Sequence, residues 1–254
     1  MTATQGSASC SGPAPAVGPP EEVLDVACRA LLRTGAPLPL EALATAMGTG
    51  LADAEREVAT QESRGRMTRD GDGRIVASAG ISVVPSDYEL RVGARVMWAW
   101  CANTAFGVMS ALAMGGEVVS HCPAGGALLR TVFDGPLPRE EGRAVHWPSD
   151  SFRQSCGSLA QEYCPTFALF ENAQAAHAWA GAKGIPGEVL PVREATERAR
   201  VRWRKSLDLD GEGADLPRLL TAPPRRPGAV DVNPAPASPV VSPVASPAAS
   251  PTEE

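Results

Sequence analysis

The spacing of apolar residues changes along this chain at about residue 75, and that change constrains the fold more than any other feature. Before it, apolar residues recur every three or four positions, which is the periodicity of an amphipathic helix. After it, they form short runs that are typical of β-strands. The pattern therefore predicts an α+β protein, in which an N-terminal helical part precedes a mixed or antiparallel sheet with flanking helices.

The helical part has the pattern of a winged helix, which we predict for residues 21–80. Its predicted helices cover Glu21–Thr34, Leu38–Met47 and Leu51–Arg64, and the glycine-containing turn Arg69–Arg74 suits a hairpin. Ten acidic residues stand against seven basic ones in this part, and the whole chain has a net charge of −6. We therefore expect no nucleic-acid partner, because phosphate contacts need clustered Lys and Arg. A packing role is the favoured interpretation of this module.

Residues 81–210 are predicted to form a second domain of short strands and helices. Its helices are predicted over Ala94–Met114, Ala173–Ala182 and Arg193–Ser206. The strands predicted from residue 75 onwards are Ile75–Ala77, Ile81–Val84, Tyr88–Leu90, Glu117–Ser120, Leu128–Phe133, Arg143–His146, Thr166–Phe170 and Glu188–Leu190.

Both ends of the chain have the composition of disordered segments. Residues 1–20 form a Ser/Ala/Gly/Pro-rich lead, and residues 211–254 form a Pro/Ala/Ser-rich tail that cannot bury enough apolar surface to offset chain entropy. No run of 18 apolar residues and no basic, apolar leader occurs, so we expect a cytoplasmic protein without a membrane partner. Six cysteines in 254 residues are too few for a disulfide scaffold, and reduced thiols are expected.

Three cysteines lie at the ends of predicted elements, where reactive thiols are common. Thr104 follows Cys101 by three residues, so that a thiol and a hydroxyl share one face of the predicted helix. Cys122 ends a strand at a turn, and Cys164 precedes a strand. No Cys-x-x-Cys pair occurs, which argues against a zinc knuckle or a thioredoxin-type redox pair. Spacing alone leaves two interpretations open: a metal or nucleophile site, or small buried hydrophobic side chains.

The segments around these cysteines resemble the organomercurial (alkylmercury) lyase family. The gaps of 21 and 42 residues between the three cysteines match the family pattern without insertion, and the similarity extends over residues 21–200. The segments that carry the resemblance are Met97–Ala102, Ser120–Cys122, Arg153–Ser155, Tyr163–Cys164, Phe167–Phe170 and Ala178–Ala180.

The resemblance implies that Cys101 and Cys164 hold the mercury of an organomercurial substrate as thiolates, the ligands that soft Hg(II) prefers. It implies cleavage of the carbon–mercury bond by protonolysis in mercury resistance and detoxification, with free cellular thiols as partners and no resident cofactor. Cys122 matches a structural cysteine of the family. Thr104, the third predicted catalytic residue, stands where the family usually has a proton-carrying Asp. Reduced or altered activity is expected, because a hydroxyl is a far weaker acid than a carboxyl group.

The proton source is left open among Cys101 in its thiol form, Glu162, Asp150 and a water held by Thr104. Cys156 is either a third thiol of the site or an ordinary buried cysteine. Two other functions also stay open. One is a soft-metal protein that sequesters Hg(II) or Cu(I) through the same two thiols. The other is a family member that acts on a different organometallic or biosynthetic substrate.

Overall fold

The computed structural model describes residues 22–209, and the predictions for residues 1–20 and 211–254 lie outside that range. Within it, the helices are α1 (Glu22–Thr34), α2 (Leu40–Met47), α3 (Leu51–Ser63), α4 (Ala102–Leu112), α5 (Asp150–Ser155), α6 (Ala173–Lys183) and α7 (Val192–Ser206). The strands are β1 (Met67–Arg69), β2 (Ile75–Ser78), β3 (Ile81–Ser82), β4 (Tyr88–Val92), β5 (Arg95–Ala99), β6 (Gly116–His121), β7 (Leu128–Phe133), β8 (Ala144–Pro148), β9 (Ala168–Phe170) and β10 (Gly187–Pro191).

The three N-terminal helices form where the apolar spacing predicts them, to within two residues at each end. Helix α1 buries a single stripe of side chains at helical spacing, from Val23 to Leu32. The Ser78 hydroxyl of β2 donates a hydrogen bond of 2.9 Å to the Leu24 carbonyl, which fixes α1 against the sheet. At the C-terminal end of α1, the guanidinium of Arg95 donates to the Leu32 carbonyl at 2.9 Å and so satisfies a carbonyl that has no partner within the helix.

Seven antiparallel strands form one sheet in the order β1-β2-β3-β5-β4-β6-β7. The β1–β2 hairpin is part of this sheet, because Ala77 of β2 pairs with Ser82 of β3. Strand β3 then continues the sheet by pairing Ile81 with Ala99 of β5. The strand pairing of the N-terminal hairpin therefore continues directly into the rest of the sheet, across the predicted domain boundary at residue 80. A second antiparallel sheet has the order β10-β8-β9, and the predicted α+β class with antiparallel sheets is confirmed.

Helices α4 and α7 pack against each other so closely that α4 needs a glycine at the contact. Every residue of α4 except Asn103 is buried, as expected for a helix covered on all sides. A Cβ atom at Gly107 would lie 2.1 Å from Cδ1 of Trp203, which is far inside van der Waals contact. The absence of a side chain at Gly107 lets the Trp203 ring lie on the α4 backbone. This contact brings the C-terminal half of α7 beside the first turn of α4.

The long helix predicted over Ala94–Met114 is wrong in its N-terminal part. Residues 95–99 form strand β5, and α4 begins only at Ala102. A two-residue turn with Gly93 at φ 59° joins β4 to β5, and its outer residues Val92 and Arg95 pair with each other. Met97 and Ala99 point inward while Val96 is exposed, which is the alternation of a half-buried strand. No helix among residues 22–209 is both long and apolar enough to cross a membrane.

Candidate active site

Cys101 occupies the N-cap position of α4, immediately after β5. Its backbone is extended (φ −156°, ψ 166°), so Cys101 lies just before the helix. The sequence pattern predicts that Cys101 lies inside a helix, and that prediction is wrong. The Trp100 amide donates to the Gly80 carbonyl at 2.9 Å, and the Ala102 amide donates to the Phe167 carbonyl at 3.0 Å. Both neighbours of Cys101 are thus fixed by the main chain of other segments, and its side chain is only 2% exposed.

Cys164 begins a short 3-10 turn, Cys164–Thr166, that follows the π-helical turn Leu159–Tyr163. The Phe167 amide donates to the Cys164 carbonyl at 3.0 Å, and the Thr166 hydroxyl donates to the Tyr163 carbonyl at 2.6 Å. Because Phe167 also accepts from the Ala102 amide, the two cysteine-bearing segments are joined through one residue. The Cys164 side chain is half-buried and forms a hydrogen bond with the Cys101 thiol.

Thr104 lies one turn into α4 and contacts Cys101, with 3.4 Å between Oγ1 and Sγ. Its side chain is buried against Gly80, where a Cβ atom would come within 2.5 Å of Oγ1. Gly80 has a φ of 96°, a region that side chains other than glycine rarely adopt. The absence of a side chain at Gly80 therefore leaves room for the Thr104 hydroxyl beside the Cys101 thiol. The two side chains are in contact although Cys101 lies outside α4.

The two thiols share their protons unequally. The hydrogen bond from Cys164 lowers the pKa of Cys101 from its ordinary value of 9.0 to about 7, with a smaller contribution from Thr104, against the opposing effect of burial. The same contact and burial raise the pKa of Cys164 well above its ordinary range. Near neutral pH, about half of the molecules therefore hold a single proton on the pair, which resides on Cys164 while Cys101 carries the negative charge.

The thiols open into a cavity of about 50 Å³. Its walls come from the turn after α3, the start of α4, the Leu159–Phe167 segment and the end of α7. The lining residues are Arg66, Ala79, Trp100, Cys101, Asn103, Thr104, Arg153, Leu159, Tyr163, Cys164, Phe167, Arg202 and Trp203. None of them carries a carboxylate. Cys101, Thr104 and Cys164, the three predicted site residues, all face the same cavity.

Comparison with known proteins shows what this chain is similar to. Residues 81–203 match the family model of the alkylmercury lyases. This part of the chain is similar to the alkylmercury lyase family. An alkylmercury lyase of Staphylococcus epidermidis is 25% identical over 191 residues, which is 73% of this chain and 85% of that protein. The crystal structure of the mercury-bound form of MerB2 matches with a TM-score of 0.66 at 20% identity, over 76% of this chain and 94% of that chain, which shows a common fold.

Two further cysteines, Cys122 and Cys156, are not part of the cavity wall. Cys122 is buried in the main hydrophobic core, and its amide donates to the Ala127 carbonyl at 2.8 Å. Cys156 is buried beside Cys101 in a smaller apolar cluster, and its thiol donates to the Phe152 carbonyl at 3.3 Å. Among residues 22–209 no group of three or more His, Cys, Asp or Glu side chains could hold a metal ion together. In the described part of the chain, a soft metal in the cavity would rely on two thiols.

The carboxylates considered as proton donors are not part of the cavity wall. The Glu162 carboxylate accepts a hydrogen bond of 2.9 Å from the Gly157 amide, and Asp150 lies in the first turn of α5. The cavity wall instead presents the phenol of Tyr163, which burial keeps neutral by raising its pKa to about 12. The wall also presents the Cys164 thiol, so the protons nearest to Cys101 belong to sulfur and hydroxyl groups.

Three arginines line the cavity, and no sequence pattern predicts that they lie close together. Arg66 follows α3, Arg153 lies in α5 and Arg202 lies in the last turns of α7. They are far apart in the sequence and meet only in the folded chain. Arg153 belongs to one of the family-like segments, whereas Arg66 and Arg202 lie in segments whose patterns predict only helix and turn structure.

Proposed function

We propose that this protein is an organomercurial lyase that cleaves carbon–mercury bonds by protonolysis between Cys101 and Cys164. The observation that carries the proposal is the contact between these two thiols in one cavity of a chain whose residues 81–203 match the alkylmercury lyase family model. Hg(II) is a soft ion that prefers thiolate ligands, and two opposed thiolates satisfy its linear coordination. The alternative functions share this site, and the similarity to alkylmercury lyases favours the lyase over them.

In the proposed reaction the Cys101 thiolate attacks the metal of R–Hg⁺ and forms Cys101–S–Hg–R. The Cys164 thiol then transfers its proton to the carbon atom, which takes the electron pair of the carbon–mercury bond and leaves as R–H. The Cys164 thiolate formed in this step binds mercury, so that Hg(II) ends between the two sulfur atoms. One free thiol and one free thiolate exchange for them and remove the metal as its dithiolate, and the proton of the thiol restores the single proton of the pair.

Thr104 acts in this scheme as a positioning residue. Its hydroxyl lies 3.4 Å from the Cys101 sulfur and stabilises the thiolate by donating a hydrogen bond. A hydroxyl cannot supply a proton at neutral pH as a carboxyl group can, so Cys164 is the proton donor of the proposed mechanism. This assignment follows from a cavity wall that contains no carboxylate.

The three helices and the hairpin at the N-terminus are proposed to be a winged-helix-like module with a structural role. It contributes Arg66 and Ala79 to the cavity wall, and α1 is hydrogen-bonded to β2. The proposed setting is cytoplasmic detoxification of organomercurials. The five cysteines among residues 22–209 are free thiols, which fits a reducing compartment.

The test is release of arene from an arylmercury compound by the purified protein in excess free thiol, followed by gas chromatography. Multiple turnovers are expected for the native chain. Cys101→Ser and Cys164→Ser should lose arene release and tight mercury binding, because an alcohol is a hard, weak ligand for mercury. Cys156→Ser, a buried cysteine outside the cavity, is the matched control and should keep turnover.

Arene release that survives Cys164→Ser would refute the proton transfer from sulfur. Mercury bound at one equivalent without any arene release would refute the lyase and support the metal-binding alternative. The Thr104→Asp variant adds a carboxylate beside Cys101. It should accelerate arene release if proton delivery limits the native rate, and leave the rate unchanged if mercury removal by thiols limits it.

A further inference from the structure

A group of arginines surrounds the cavity that holds the thiols. We call Arg66, Arg153 and Arg202 the arginine collar, since they reach the cavity from three separate segments. No residue of the cavity wall carries a carboxylate. Arg153 and Arg202 therefore bring positive charge to the cavity on a chain whose net charge is −6.

Several arginines elsewhere among residues 22–209 form ion pairs. Arg69 contacts Glu55 at 2.8 Å and Glu62 at 2.6 Å, and Arg198 contacts Glu188 at 3.2 Å. Among residues 22–209, neither Arg153 nor Arg202 forms an ion pair, and both side chains are exposed. These two guanidinium groups, which form no ion pair within the described residues, are available to a ligand in the cavity mouth.

The charge of the collar reaches the sulfur atoms. Arg202 lowers the pKa of both Cys101 and Cys164, and Arg153 lowers the pKa of Cys164. Both guanidinium groups thus act electrostatically on the reacting pair. An organomercurial bound there has its metal at the thiols and its remaining groups within the field of the collar.

An uncharged hydrocarbon group on mercury, or a carrier thiol without a charged group, would form no charge-assisted hydrogen bond with the arginine collar. A carboxylate would gain charge-assisted hydrogen bonds, and the planar guanidinium fork matches its two oxygens. We propose that Arg153 and Arg202 bind a carboxylate of the substrate, so that the protein prefers organomercury compounds that carry one. The carboxylate comes either from the organic group or from the thiol that delivers the mercury. The inference rests on the proposed lyase function and names its substrate class.

The first experiment compares four substrates that differ only in the place of the carboxylate. Phenylmercury and 4-carboxyphenylmercury are each supplied as the adduct of 2-mercaptoethanol or of mercaptoacetate, and kcat/KM for arene release is measured. A carboxylate in at least one of the two places should raise kcat/KM about fivefold, as expected for an exposed charged contact. A gain with 4-carboxyphenylmercury identifies the organic group as the source, and a gain with mercaptoacetate identifies the carrier thiol. Equal values for all four substrates overturn the proposal.

Variants separate substrate binding from activation of the thiols. Arg153→Gln and Arg202→Gln should each lower the ratio of kcat/KM for the carboxylate substrate to kcat/KM for neutral phenylmercury by about fivefold. An equal loss for neutral and carboxylate substrates would mean that the collar only stabilises thiolate, and would overturn the proposal. Arg193→Gln is the matched control: it removes the same charge from α7, about 14 Å along the helix from Arg202, and outside the cavity.

The second experiment does not require any lyase activity. Cys101 is alkylated with iodoacetate and with iodoacetamide, which differ by one carboxylate, and the ratio of the two rates is measured. The ratio should fall about fivefold in Arg202→Gln and stay unchanged in Arg193→Gln. If the ratio falls while no arene is ever released, the anion site stands and the lyase proposal fails. If arene is released but the ratio is the same in both variants, the lyase stands and the collar proposal fails.

Discussion

Shortening Cys164 to alanine should raise the pKa of Cys101 from about 7 towards its ordinary value of 9.0. The hydrogen bond from Cys164 is the largest influence that lowers this pKa, and burial, which disfavours the thiolate, remains after the substitution. A rise of two pKa units corresponds to about 2.7 kcal/mol. At neutral pH, the thiolate form of Cys101 would fall from about half of the molecules to about one in a hundred.

Alkylation by iodoacetamide measures this change, because only the thiolate reacts. The rate is followed from about pH 5 to about pH 10, and the modified peptide that contains Cys101 is quantified by mass spectrometry. The midpoint of the pH profile is the quantity to compare. Absolute rates are a poor guide, since Cys101 is 2% exposed and a smaller residue at 164 also opens access to it. In the native chain the rate should rise with pH through a midpoint of about 7.

The matched control is Cys164→Ser, which keeps a hydrogen-bond donor at the same position. Its midpoint should lie below that of Cys164→Ala, because a hydroxyl still donates to the Cys101 thiolate. If the midpoint of Cys164→Ala remains near 7, the contact between the two thiols is not what stabilises the thiolate. Thr104 and Arg202, the other groups that lower this pKa, would then be responsible.

Two further predictions concern stability. Gly107→Ala should lower the free energy of unfolding by about 1–3 kcal/mol, because the new methyl group would overlap the Trp203 ring, and urea denaturation measures the loss. Gly181→Ala in α6 has open space around its Cβ and should not destabilise; equal stabilities of the two variants would contradict the tight helix contact. Burial raises the pKa of Cys28 from 9.0 to about 12. The folded state therefore keeps this thiol neutral while the unfolded chain ionises, so stability is full below pH 9 and falls by up to about 1.4 kcal/mol per pH unit above it. Denaturation of Cys28→Ala at several alkaline pH values should show a smaller decline, and an identical decline would contradict this account.

Local patterns were sufficient to predict much of the fold. The stripe of α1 and the run of β7 are each specified by a single periodicity, so their bounds follow from the sequence. The segment before Cys101 is different, because its apolar residues satisfy a helical spacing and a strand alternation equally well. Pairing of β5 with β3 and β4 decides between them, and that pairing is a tertiary contact. Gly93, in the two-residue turn before β5, was the available signal for a hairpin.

For the candidate site too, the sequence predicts some residues, while their contacts depend on tertiary packing. Cys101 and Cys164 stand out by their flanking residues, but their contact depends on the hydrogen bond from Ala102 to Phe167, which no spacing rule contains. The collar residue Arg202 is one of many charged residues of α7 in the sequence. The packing of Trp203 onto Gly107 places the end of α7 beside the cavity, and Arg202 therefore lines the cavity with the thiols.

The continuous sheet past residue 80 limits how this chain can be shortened. A fragment that began at Ile81, where the recognisable family segment begins, would lack β1 and β2 and would leave the edge of β3 unpaired. An uncovered strand edge invites pairing with another molecule, so such a fragment should aggregate. It would also lack Arg66 and Ala79, and the thiols would face solvent on that side. The segment that the family model matches is therefore shorter than the segment that must be made as one piece for the thiols to be enclosed.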